Sequence, residues 1–175
     1  SISQDGWKHE PVYPYPALHE LADGVMTYPQ ILQRIDQILD KFGKIRDTAS
    51  PELNNIRREL AKTEGSISRT LYSILRSAQS EGLIEKDVTP SMRDGRLVIP
   101  IVPTMKRKIK GIVHDESASG KTLFVEPTEV VEANNRVREL EAEERREIIR
   151  ILNEIAKTIR PHVPQILASY KLLAQ

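Results

Sequence analysis

Apolar residues recur along this chain at two spacings, and the change from one to the other divides it. Ile31, Ile35, Ile38, Leu39 and Phe42 keep the three- and four-residue steps of one helical face. Thr27 supplies a cap, Pro29 a first-turn proline and Gly43 a stop. A stronger start follows, with Ser50 placed to cap, Pro51 at the first helical position and Glu52 at the positive end of the dipole. Leu53, Ile56, Leu60, Ile67, Leu71, Ile74 and Ala78 carry that face to Gly82, interrupted at Thr63 and Glu64. A helix over Pro51 to Glu81 would be ~45 Å long.

From Val88 the spacing shortens. Asp94-Gly95 between short extended runs predicts a tight hairpin. Leu97-Val98-Ile99 and Ile101-Val102 predict a strand, with Pro100 marking an edge or a bulge. Ile109 to His114 and Thr122 to Val125 predict two more, joined across Ser117-Ala118-Ser119-Gly120. A small antiparallel sheet is therefore expected between about Val88 and Glu126.

Helical spacing returns after Pro127, with Thr128 as the expected cap. Val130, Val137, Leu140, Ile148, Ile151, Ile155 and Ile159 mark the inner seam. Pro161 and Pro164 end it, and a short helix is expected over Gln165 to Leu173. Residues 1–27 predict an extended lead-in, with a short helix around Ala17 to Ala22. The expected fold class is mainly α with a small antiparallel β insert: a helical core plus two long antiparallel helices, with the insert at their far end. Pairing would bury both seams, since neither helix has enough apolar surface to stand alone. The expected divisions are residues 1–50 (lead-in and core helix), 51–87 (first long helix), 88–127 (β insert) and 128–175 (second long helix and return to the core).

Composition narrows the chemistry. The 175 residues carry a net charge of +1, so overall charge selects no partner. Absence of cysteine excludes disulfides, thiolate metal sites and cysteine nucleophiles. No apolar run approaches the ~20 residues of a membrane span and no signal peptide is visible, so a cytoplasmic home without membrane contact is expected. The first residue is Ser1 rather than Met, which suggests a piece of a longer protein.

Charge is concentrated locally. Arg93, Arg96, Lys106, Arg107, Lys108, Lys110 and Lys121 face only Asp94, Asp115 and Glu116 over the same stretch, a local excess of four positive charges. These seven are the candidate nucleic-acid contacts, because cations near a sheet can neutralise phosphates and release counterions. Lys106, Arg107 and Lys108 lead, since three adjacent cations on a loop can follow a backbone without reading bases. The competing reading is charge that blunts exposed sheet edges.

Catalytic readings are weaker. Gly120-Lys121-Thr122 ends like a phosphate-cradling loop, but Asp115 stands where the first glycine belongs and a strand, not a helix, should follow. His114, Asp115 and Ser117 lie too close together on one hairpin to converge as a triad. Asp115, Glu116 and Glu126 lack a second histidine for a metal. The Glu- and Arg-rich run from Arg138 to Arg150 includes Glu141 four residues before Arg145, the order that favours ion pairing along a wet helix. No catalytic, cofactor-binding or metal-binding residue is assigned.

GRLVIPIV and KGIVHDESASGKTLFVEPTEVVEANNRVRELEAEERREIIRIL strongly resemble the MutS family, in the bacterial branch that ends in an Smr nuclease domain. Asp47-Thr48-Ala49-Ser50-Pro51-Glu52-Leu53 resembles the same branch. The similarity runs from about Leu18 onward. It implies the helical core and lever region with a clamp-like β insert, non-catalytic in itself. It also implies a homodimeric parent in which paired arms surround branched or mismatched DNA in repair and recombination control. ATP and Mg²⁺ would act in an ATPase domain, and nuclease activity in the Smr domain, both absent here. The alternatives are a structural lever that transmits ATPase motion, or docking to the RNA and protein of collided ribosomes.

Overall fold

The computed structural model describes residues 26–174, so the expected lead-in and its helix around Ala17 to Ala22 lie outside the described residues. The chain divides into two compact units: Ser1–Ser50 with Ile148–Gln175, and Pro51–Glu147. One division falls between Ser50 and Pro51, and the other between Glu147 and Ile148, inside a helix.

In the first unit, helix α1 (Tyr28–Ile38) opens with a reciprocal capping box. Thr27 Oγ1 accepts from the Gln30 N–H, and the Gln30 side chain accepts from the Thr27 N–H at 2.9 Å. The helix ends at Ile38, earlier than the expected Gly43, because Leu39 turns extended and bridges to Ile45. Phe42, expected on the apolar face, sits in the intervening turn and is 76% exposed. Asp40 builds that turn by accepting from the Phe42 and Lys44 N–H groups, and these bonds hold its carboxyl below the usual range. Pro161 lies in a 3₁₀ turn, Arg160–His162, and Pro164 falls in the first turn of α4 (Val163–Leu173), where its missing N–H costs nothing.

The second unit holds the β insert. Helix α2 runs over Pro51–Ser80, and its seam buries Leu53, Leu60, Ile67, Leu71, Leu75 and Ala78. The sheet is antiparallel, in the order β1 (Ser91–Arg93), β2 (Arg96–Ile101), β4 (Leu123–Pro127), β3 (Gly111–Glu116). Asp94 and Gly95 both take positive φ, as the two-residue hairpin turn requires. β1 pairs only with Arg96 to Val98, so at Pro100 strand β2 has β4 as its single neighbour. The missing proline N–H is thereby accommodated at a local edge.

Alternation sorts the sheet residues onto two faces. Leu97, Ile99 and Ile101 with Leu123 and Val125 join the α2 seam in one apolar core, completed by Met105, Val130, Val137 and Leu140. Helix α3 (Val131–Ile159) starts after a 3₁₀ turn, Thr128–Val130. Thr128 is not its cap: the Thr128 N–H and hydroxyl both donate to the Lys110 carbonyl. Within this unit α2 and α3 run antiparallel, joined at their surface by Arg57–Glu144 at 3.0 Å and Arg136–Glu59 at 2.8 Å. The architecture is mainly α with a small antiparallel insert, as the spacing of apolar residues predicts.

Candidate nucleic-acid interface

The seven candidate cations separate into two groups. Lys106 and Arg107 belong to a 3₁₀ turn, Pro103–Arg107, whose Met105 is 2% exposed and inserted in the core. One buried methionine thus pins the loop while its two cations point outward. Both are exposed and make no ion pair among the described residues. Lys110, at the base of the β3–β4 hairpin, and Lys121, at its tip, are likewise exposed and unpaired among the described residues. Lys108 is exposed too, but rests 3.4 Å from Glu81 in a solvent-screened pair.

The two arginines of the β1–β2 hairpin behave differently. Arg93 lies over the Phe124 ring, 4.1 Å from its centroid, and 3.5 Å from Asp115. Arg96 is buried. Its Nε donates to Glu126 Oε2 at 2.6 Å, and its Nη2 donates to the Val131 carbonyl at 3.1 Å. Arg96, expected among the phosphate contacts, is therefore a structural cation inside the fold.

Glu126 is fully buried and explains that arrangement. Asn134 Nδ2 donates to its Oε2 at 2.8 Å, and His114 Nε2 lies 2.8 Å from Oε1. An ionised carboxylate only accepts, so the ring donates from Nε2. Burial alone pushes the Glu126 carboxyl up, but the hydrogen bonds from Arg96, His114 and Asn134 outweigh it and hold it below its ordinary value. His114 reaches Glu126 because β3 carries a bulge between Val113 and Asp115. Asn134 has a second task. It accepts from the Leu97 N–H at 3.5 Å and donates to the Leu97 carbonyl at 3.3 Å. The β2–β4 register stops at Ile99 opposite Val125, and Pro127 has no N–H to offer. The carboxamide substitutes for the missing strand.

The hydrolase-like residues diverge: His114 goes to Glu126, Asp115 to Arg93, and Ser117 Oγ accepts from the Thr122 N–H at 3.1 Å. Gly120, at φ +69°, turns the hairpin, and strand β4 follows Lys121-Thr122 where a phosphate loop would need a helix. Among the described residues no group of three acidic or histidine side chains is placed to hold a metal ion, and no helix is long and apolar enough to cross a membrane.

No protein-family model matches the chain. Curated proteins do. It is 38% identical over 161 residues to a protein named Endonuclease MutS2 from Pelotomaculum thermopropionicum, a match covering 92% of this chain and 20% of that protein. Its identity is 37% over 167 residues to the Endonuclease MutS2 of a Geobacillus strain, covering 95% and 21%. To that of Latilactobacillus sakei it is 42% over 159 residues, covering 91% and 20%. The chain is a MutS2-like segment. Its similarity is to the MutS2 proteins, and it spans about a fifth of their length.

Within this MutS2-like segment, the cluster around Glu126 was not evident from composition. The sequence does carry a signal for it. Arg96 and Glu126 are opposite charges set singly in otherwise apolar strands, each on the alternation that excludes the α2-facing residues. Two such misfits of opposite sign predict each other as partners.

Proposed function

We propose that the β insert of this MutS2-like segment grips the sugar-phosphate backbone of branched or mismatched DNA, without reading bases. The carrying observation is the division among its cations. Arg96 is locked inside and Arg93 is held over Phe124, while Lys106, Arg107, Lys110 and Lys121 are exposed with no acidic partner among the described residues. Exposed cations held on a pinned loop lose little freedom when a phosphate arrives, and they release its counterions.

In this reading the segment is a non-catalytic core, lever and clamp region of a homodimeric parent involved in repair and recombination control. The activity in the relatives' name, and any use of ATP and Mg²⁺, are assigned to other parts of that parent. One arm without its partner binds weakly, because the second contact is missing.

Fluorescence anisotropy of labelled four-way-junction and linear DNA over a salt series tests the proposal. Each lost phosphate contact flattens the log–log salt slope by about 0.9. Charge reversal at Lys106, Arg107 and Lys108 together should flatten it by about 2 to 3. Wild-type binding that shows no salt dependence, or an unaltered slope in the variant, would overturn it. Purified ribosomes in a parallel series identify an RNA–protein partner, which replaces DNA in this reading if they bind more tightly.

A further inference from the structure

Strand β3 has β4 on one side and, among the described residues, no strand on the other. Its middle is apolar and uncovered: Ile112 is 49% exposed and Val113 37%. The Thr128 N–H donates to the Lys110 carbonyl, which fixes the alternation. Lys110 and Ile112 turn their backbone groups toward β4, and Gly111 and Val113 turn theirs away from the sheet. Among the described residues no hydrogen bond from outside the sheet reaches Gly111 or Val113. The bulge after Val113 ends this open stretch, because Asp115 pairs back with Phe124 and its carboxylate accepts from the Glu116 N–H.

The opposite edge of the sheet differs. Strand β1 is three residues long, and in its two-residue hairpin Ser91 and Arg93 turn their backbone groups toward β2, which leaves Met92 alone facing out. Exposed edges are commonly blunted by a charge or a proline within the strand, and Gly111–Val113 carries neither. Charges of opposite sign flank it instead, with Lys110 before it and Asp115 and Glu116 after it. An antiparallel copy of the same strand sets each cationic end beside the other's acidic end. A parallel copy would set like charge beside like.

We propose that β3 pairs antiparallel with β3 of a second copy of this chain, about a twofold axis at Ile112. Gly111 of each copy exchanges N–H···O bonds with Val113 of the other, so the outward backbone groups are satisfied. Ile112 meets its own counterpart and leaves water, and the two sheets become one. The surface is self-complementary in backbone, apolar contact and charge, as an isologous interface requires. The pairing needs no nucleic acid and does not rest on the DNA reading.

The chain has no cysteine, so single-cysteine variants report the contact without background. Facing residues of a non-hydrogen-bonded pair have Cα atoms about 4.5 Å apart, within disulfide reach. Ile112→Cys, mildly oxidised without nucleic acid, should form a covalent dimer about tenfold faster than Lys121→Cys, which is also exposed on the same hairpin. Adding Val113→Pro removes an outward N–H that a single chain leaves to water, so thermal melts should hold while cross-linking slows about tenfold. Lys110→Glu should slow Ile112→Cys cross-linking about threefold, and Lys110→Glu with Glu116→Lys should restore it. Cross-linking no faster at Ile112→Cys than at Lys121→Cys, or indifferent to both Val113→Pro and Lys110→Glu, would overturn the proposal. So would sedimentation that finds the unmodified chain monomeric at every concentration, which would leave the edge to a foreign strand.

Discussion

Arg96 and Arg107 belong to the same cation-rich stretch and to the same unit, yet they serve opposite ends. Arg96 sits on β2, on the face that alternation turns toward Glu126, and its guanidinium is spent on a buried carboxylate and a backbone carbonyl. Arg107 sits in a 3₁₀ turn whose inward position is taken by Met105, so its guanidinium faces water. Charge type does not distinguish them; the backbone element that carries each one does. The buried cluster is a stability feature whose polar groups bond to one another and to the backbone. The exposed loop is free to contact one and contributes little to stability.

The sharpest way to break this contrast is to remove Arg96. Arg96→Ala leaves Glu126 buried without its principal counter-charge, and breaking one partner of a buried pair costs roughly 3–5 kcal/mol. Urea unfolding followed by circular dichroism should show that loss. The double variant Arg96→Met with Glu126→Leu should recover most of it, because matched apolar groups leave no buried charge uncompensated. An Arg96→Ala midpoint within error of the wild type would mean that the cluster is not a stability feature.

Next in size is the backbone approach that holds β3 in place. A Cβ on Gly111 would collide with the carbonyl of Glu126 and the Cα of Pro127, both backbone groups that cannot swing aside. Gly111→Ala should therefore cost roughly 2–3 kcal/mol in the same unfolding measurement. Gly120 meets nothing within 4 Å but holds φ +69°, so Gly120→Ala should cost only about 1 kcal/mol. Equal losses at the two positions would argue against the tight β3–β4 contact.

Much of this architecture can be read along the chain, and the unreadable part has a physical cause. The Thr27 cap, the Pro51 start and the Asp94-Gly95 hairpin are local signals, and each is found where the local pattern puts it. The Glu126 cluster joins Arg96, His114 and Asn134 from three different elements, so it depends on strand register and on a bulge that periodicity does not encode. The Glu141–Arg145 spacing likewise promises a pair that the α2–α3 packing does not make. Thr128 resembles a cap, but its hydroxyl is used by the Lys110 carbonyl across the sheet edge. For the candidate interface, the sequence identifies the cations and marks only Arg96, a lone charge in an apolar strand, as one spent internally.

Titration probes the same contrast more gently. Hydrogen bonds hold the Glu126 carboxyl below its ordinary value near 4.5, so the folded state releases its proton more readily than the unfolded chain. Its contribution is fully present above that value and is lost as pH falls through the lower folded pKa. Thermal melts should therefore fall more steeply below about pH 4.5 in the wild type than in Glu126→Gln, which has no proton to take up there. Parallel curves for the two proteins would show that the Glu126 charge is not linked to folding.

The smallest expected change in stability belongs to the loop itself, and it is the most informative about function. Lys106→Glu with Arg107→Glu alters two exposed side chains that touch no acidic partner among the described residues, while Met105 stays in the core. Unfolding should move by no more than about 0.5 kcal/mol, the range of surface substitutions away from special features. If these cations meet phosphates, the salt slope for DNA should flatten by about 2 in the same variant. Stability and binding would then be separable in one stretch of chain, with Arg96 setting the first and the loop setting the second. A variant that lost both together would place the loop among the structural residues and leave Arg107 no different in kind from Arg96.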